Sequence, residues 1–156
     1  MSWPEKSARR FVVDTNVFVA AVKPLSKPSR GPRKDTKTLT LLVKLITDEE
    51  LELVGNPTLV AEYNRLAEEF NSKTSRLILQ QLAAKMKTIR VSEEAFRRCR
   101  PYLPKERIAD VIHAATCLQT RAILVTNDAD FNNIKKAGII EVWSISEAIQ
   151  RMRPQV

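Results

Sequence analysis

Glycine is scarce in this chain, three residues in 156, which excludes collagen-like and other glycine-rich architectures. A single histidine speaks against a multi-histidine metal site. Two cysteines, Cys99 and Cys117, form one bridge at most. Neither lies in a thiol-redox or zinc spacing, so both are read as buried apolar fillers and no disulfide scaffold is expected. No apolar run approaches the ~18–20 residues needed to cross a bilayer. Met1–Arg10 is polar and basic with no apolar stretch behind it, so export is not expected either. The reading is a soluble cytoplasmic protein with reduced thiols. Acids are outnumbered, 18 against 26 bases, for a formal charge of +8. Such a surface suits a polyanion, because each neutralised phosphate releases condensed counterions. Charge alone does not separate nucleic-acid binders from other basic proteins.

What is present is ordinary globular material. Hydrophobic residues at 44% and charged residues at 28% argue against disorder. The length suits one domain spanning 1–156, with a core over about 11–149. Short apolar runs alternate with helical patterns. Phe11–Val13, Leu51–Val54, Thr88–Val91, Ala122–Val125 and Val142–Ile145 read as strands. Helices are predicted from Asp35 or Thr36 to about Thr47, from the cap Asn56 and Pro57 onward, over Ser75–Lys85, and from Pro104 to Leu118. Shorter helices are predicted to start at Ser92-Glu93-Glu94 and around Ile145–Glu147. Parallel strands need crossovers, so this alternation predicts an α/β fold with a mostly parallel five-stranded sheet covered on both faces. In such sheets polar groups at the carboxyl ends of strands converge on a ligand crevice.

Residues 23–37 stand apart, with three prolines and with Lys23, Lys27, Arg30, Arg33, Lys34 and Lys37 against one acid. Two readings stand side by side: a solvated, self-repelling connector, and an electrostatic arm for a phosphate backbone.

Carboxylates carry the chemical signal. Asp14 directly follows the first strand and precedes Thr15 and Asn16, a place for a helix cap or for a ligand. Asp128 follows the fourth strand and Thr126-Asn127, with Asp130 two residues on, an Asx turn or a second charged group. Asp110 lies in the helix opened at Pro104, either paired with Arg107 on the surface or aimed at the crevice. Glu62 lies on the Asn56-Pro57 helix and alone would be dismissed, as Glu68 and Glu69 are. Like charges at the ends of two neighbouring strands are costly unless a cation or a shared proton compensates. Oxygen donors without a histidine or cysteine cluster suit a hard cation such as Mg²⁺ or Mn²⁺.

These residues resemble the PIN-domain family, in particular its toxin-type, VapC-like members. Phe11-Val-Val-Asp14-Thr15-Asn16-Val-Phe18 is similar to its first motif and Leu59-Val-Ala-Glu62-Tyr63 to its second. Ile108-Ala-Asp110-Val-Ile-His113-Ala-Ala115 is similar to the third, and Leu124-Val-Thr126-Asn127-Asp128-Ala-Asp130-Phe131 to the fourth. The resemblance implies a three-layer α/β/α sandwich and a Mg²⁺- or Mn²⁺-dependent endoribonuclease cutting single-stranded RNA. Carried over by position, Asp14, Glu62, Asp110 and Asp128 are the catalytic and metal-site acids, with Asp130 a ligand or a supporting partner. Thr15, Asn16 and Thr126 match positions that orient them. The resemblance further implies a toxin paired with a small antitoxin protein, and a homodimer. The basic insertion over 23–37 departs from the family and bears on substrate choice.

Two other classes are weighed. An RNA-binding or RNA-processing assembly module with the same fold need not keep all four acids. A phosphotransfer enzyme using Asp14 as nucleophile commonly needs a second acid two residues later, where Asn16 stands. His113 is read as structural or as supporting the site, and Phe131 and Trp143 as core. If residues 23–37 are an arm for RNA, neutralising Arg30, Arg33 and Lys34 together weakens RNA binding and makes its salt dependence shallower. A titration of affinity against salt checks this; an unchanged slope reduces the segment to a spacer.

Overall fold

Alternate side chains of a strand point to opposite faces of its sheet, so a run buried at every position needs cover on both sides. Phe11, Val12 and Val13 are such a run, none more than 2% exposed. In the computed structural model, which describes residues 9–26 and 37–152, they belong to strand β1 (Arg9–Val13) at the centre of a five-stranded sheet. The other strands are β2 (Leu51–Gly55), β3 (Lys87–Thr88), β4 (Ile123–Val125) and β5 (Val142–Trp143). Their order is β3-β2-β1-β4-β5 and every pairing is parallel. The expected parallel α/β sandwich is therefore present.

Eight α-helices lie among the described residues: α1 (Thr15–Val22), α2 (Lys37–Thr47), α3 (Pro57–Phe70), α4 (Lys73–Lys85), α5 (Glu93–Cys99), α6 (Ile108–Thr120), α7 (Asn132–Lys136) and α8 (Ile145–Arg151). Local chemistry sets most of their starts. The side chains of Asn56, Ser72, Ser92 and Ser144 each accept an N–H of the following first turn, and Ser144 with Glu147 completes a capping box. Phe131 and Trp143 are core residues as read from the sequence, and so are both cysteines. Among the described residues, no helix is long and apolar enough to cross a membrane.

Several boundaries differ from expectation. Pro104 opens a turn, Arg107 N–H to Pro104 O at 3.0 Å, and the helix starts only at Ile108. Ser72 moves the start of α4 ahead of Ser75. β3 is two residues long, and α1 and α7 are additional elements. Of the basic segment, Lys23 begins a single 3-10 turn after α1 and Lys37 begins α2. Lys27, Arg30, Arg33 and Lys34 lie outside the described residues.

The strand order positions the site. From β1 the chain steps outward through β2 to β3, then returns to place β4 on the other side of β1. This reversal is a topological switch point, where the loops leaving β1 and β4 diverge and open a crevice at their carboxyl ends. One residue beyond β1 is Asp14; one beyond β4 is Thr126. The registry is tied at that level by Asp14 N–H to Val125 O at 3.0 Å.

β1 also carries a buried cation. The Arg10 side chain is 3% exposed, and its Nε donates to Glu52 Oε2 on β2 at 2.8 Å. Removing the carboxylate leaves that guanidinium under-compensated, so Glu52→Ala is expected to destabilise the fold by about 2–4 kcal/mol. The midpoint of urea unfolding checks this.

Candidate active site

The crevice is built outward from Asp14. Its backbone ends β1 and its carboxylate caps α1, with Oδ1 accepting the Thr15 N–H at 2.8 Å. The capping role anticipated from sequence is thus real, and it fixes the side chain without using Oδ2. That second oxygen accepts the Thr126 hydroxyl at 2.8 Å and the Asn16 amide at 3.2 Å. Thr126 Oγ1 in turn accepts Asn16 Nδ2 at 3.0 Å and the Asp128 N–H at 3.0 Å, filling a hydroxyl's donor and acceptor capacity. Asn16 Oδ1 accepts the Asn127 N–H at 3.2 Å. Thr126 and Asn16 therefore lock the end of β1 to the end of β4; Thr15 contributes through its backbone N–H.

Beyond Thr126, Asp128 Oδ1 accepts the Asp130 N–H at 2.9 Å, the Asx turn anticipated for this segment. Ile145 N–H donates to Asn127 Oδ1 at 2.8 Å and anchors the loop to the start of α8. The turn presents both acids to α6. There Asp110 is the third helical residue, in the first turn, where the helix dipole favours an anion. It is not the interior acid expected from a helix starting at Pro104. Nor does it pair with Arg107, whose Nε lies 3.2 Å from Asp130 Oδ2.

One carboxylate oxygen from each of Asp110, Asp128 and Asp130 lies within 4.8 Å of the others. Asp110 Oδ2 is buried with no hydrogen-bond partner. Its carboxyl is pushed up to about 6, first by burial and then by the charges of Asp14 and Asp128. Burial is also the main cause that raises Asp14, against the lowering effect of Thr126. An orphaned buried oxygen among all-oxygen donors is a set that a hard divalent cation satisfies. The residues present thus fit Mg²⁺ or Mn²⁺.

Asp14 and Glu62 stand just outside this trio. Glu62 reaches the site from α3, and its Oε1 lies 2.6 Å from His113 Nε2. The histidine's tautomer follows from its neighbours. Asn56 Oδ1 is committed to the Leu59 N–H, so Asn56 Nδ2 faces His113 Nδ1 at 3.1 Å and Thr116 Oγ1 at 2.9 Å. The Thr116 hydroxyl donates to Ile112 O, so it accepts from Asn56. His113 Nδ1 then accepts and Nε2 donates to Glu62. His113 is fully buried and supports a site acid, as the sequence reading allowed. Next to Glu62, the Tyr63 hydroxyl donates to Val13 O at 2.5 Å and pins α3 to the end of β1.

The sequence reading named all five acids and expected them to share one cation; the structure brings oxygens of three, Asp110, Asp128 and Asp130, within 4.8 Å of one another. The sequence reading missed Arg107 as the partner of Asp130, because that pairing depends on where α6 begins.

The PIN domain family model matches residues 11–137, and the chain belongs to that family. No curated protein sequence matches significantly. Among solved structures, the chain is similar to VapBC-1 from nontypeable Haemophilus influenzae, with TM-score 0.56 and 16% identity over 88% of this chain and 98% of that one. It is similar to FitAcB from Neisseria gonorrhoeae, with TM-score 0.55 and 22% identity over 87% and 98%. VapBC2 from Rickettsia felis, bound to a DNA fragment from its promoter, gives TM-score 0.55 and 16% identity over 86% and 98%. At these identities the likeness establishes the fold.

A carboxyl raised by folding binds protons that the unfolded chain has lost, so the native state is destabilised as pH rises through that interval. In the metal-free protein, stability is expected to fall between pH ~4 and ~6 through Asp110, with Asp14 acting in the same direction. Asp110→Asn is expected to flatten the fall. Urea midpoints in EDTA across this range check it.

Proposed function

We propose that this protein is a Mg²⁺- or Mn²⁺-dependent endoribonuclease acting on single-stranded RNA, the toxin of a toxin–antitoxin pair in the cytoplasm. PIN domains are generally nucleases. The observation that carries the reading is the grouping of Asp110, Asp128 and Asp130, with one Asp110 carboxylate oxygen buried and unpartnered. The +8 charge supports an RNA substrate. The VapBC and FitAB neighbours are toxin–antitoxin complexes, which supports a small antitoxin partner. A homodimer belongs to the same reading; Val43 on α2 and Leu77 on α4, 46% and 57% exposed, are apolar groups such a contact would cover.

Asp110, Asp128 and Asp130, with Asp14 adjoining, would hold the cation. Bound there, it supplies charge neutralisation at the scissile phosphate and lowers the pKa of a coordinated water. The chain's own contribution is positional. Thr126 and Asn16 keep the Asp14 carboxylate fixed, and His113 holds Glu62 through its Nε2. No histidine base is required, since His113 Nε2 is already committed to Glu62. Arg107, paired with Asp130, would add positive charge at the crevice for an RNA phosphate.

Asp14→Asn is expected to abolish cleavage while RNA binding persists, and EDTA is expected to abolish cleavage by the unmodified protein. In-line attack by water leaves 5′-phosphate and 3′-hydroxyl ends, whereas attack through the 2′-hydroxyl leaves a cyclic phosphate. End-group analysis of the RNA products after Mn²⁺ addition checks all three. Full activity in EDTA or in Asp14→Asn contradicts the reading, and RNA binding without any cleavage supports the assembly module instead.

A further inference from the structure

A groove of about 630 Å³ runs between the start of α3, α5 and α6, within the ~300–1,000 Å³ range of small-ligand clefts. Its apolar wall is formed by Pro57, Val91, Phe96 and Ile112, and Arg90 and Arg97 stand along it. Both arginines are exposed, and neither forms an ion pair with a carboxylate among the described residues. The one acid in the lining, Glu93, sits in the first turn of α5, where the helix dipole favours it.

The groove shares two helices, α3 and α6, with the candidate site. Thr58 in its wall lies one helical turn before Glu62 on the same face of α3. Asn56, also in the lining, is the residue that sets His113 against Glu62. Ile112 lies one turn beyond the exposed Ile108, which flanks Asp110. An aromatic ring on an apolar wall, with the Arg100 guanidinium 5.9 Å from its centroid, and two exposed guanidiniums along the groove form a pattern with a specific chemistry. It matches one nucleotide of a single strand, whose base needs a flat apolar contact and whose phosphates need arginine.

We infer that this groove is a nucleotide subsite, which seats a base of single-stranded RNA against Phe96 and its flanking phosphates on Arg90 and Arg97. This rests on the ribonuclease reading and adds to it the place where the strand is gripped next to the cut.

The test is binding of a short, fluorescein-labelled single-stranded RNA of mixed sequence to the full chain in EDTA, followed by anisotropy. Phe96→Leu is expected to weaken binding roughly tenfold with an unchanged salt slope. Arg97→Gln and Arg90→Gln are expected to weaken binding and to make the slope shallower. Arg76→Gln, an exposed arginine on α4, controls for generic charge and is expected to have a smaller effect. Because Phe96 is partly buried, photo-cross-linking of a 4-thiouridine RNA to the unmodified protein gives a second readout, expected at the peptide spanning 90–97. Unchanged affinity in Phe96→Leu and Arg97→Gln, with cross-links confined to other surfaces, overturns the inference. Cleavage with Mn²⁺ separates the two claims. A protein that cuts RNA but binds it equally well in these variants loses only the subsite. A protein that grips RNA here but never cuts loses only the nuclease reading.

Discussion

Carboxylates gathered in one crevice repel one another, and the rest of this structure is arranged around tolerating that repulsion. Asp14 is only 6% exposed, and burial works against its charge. It persists there because three donors converge on it: the Thr15 N–H, the Thr126 hydroxyl and the Asn16 amide. Glu62 has His113, and Asp130 has Arg107. Asp110 has a buried oxygen with nothing to accept from, and a charge opposed by two neighbours. That arrangement is uneven in a specific way. Asp14, Glu62 and Asp130 each have a donor or a cation from the protein, whereas one oxygen of Asp110 has none.

The parallel sheet makes the arrangement possible. Reversal of strand order at β1 places the ends of β1 and β4 side by side, so residues more than a hundred positions apart in sequence share a hydrogen-bond network. Around it lie buried layers, with the Tyr63 hydroxyl on Val13 O and the Phe18 ring edge-on to Tyr63 at 5.6 Å. A site held this way is preorganised by the core, because each anchoring side chain has a packed partner.

Much of this was legible in the sequence, for physical reasons. Phe11–Val13 and Leu124–Val125 read as strands because they are wholly apolar, and Asn56-Pro57 reads as a helix start because an amide cap and a proline at the first position admit little else. The acids at the strand ends followed from those boundaries. Asp110 was harder. Its meaning depends on whether α6 begins at Pro104 or Ile108, and a proline can open a turn as readily as a helix. With the later start the residue changes from a poorly tolerated interior acid to one favoured by the helix dipole, and Arg107 is freed for Asp130. α1 hides because its eight residues are almost uniformly apolar and carry little helical periodicity. The grouping of three acids within 4.8 Å, with Glu62 bonded to His113, is a tertiary fact that no local spacing encodes.

The central claim is that these acids share one divalent cation, and the most direct measurement is the anomalous scattering of a crystal soaked in Mn²⁺. The account predicts a peak bounded by Asp110, Asp128 and Asp130, adjoining Asp14, and its loss in a crystal of Asp110→Asn. A soaked crystal with no peak there, or with manganese bound only elsewhere on the surface, contradicts it.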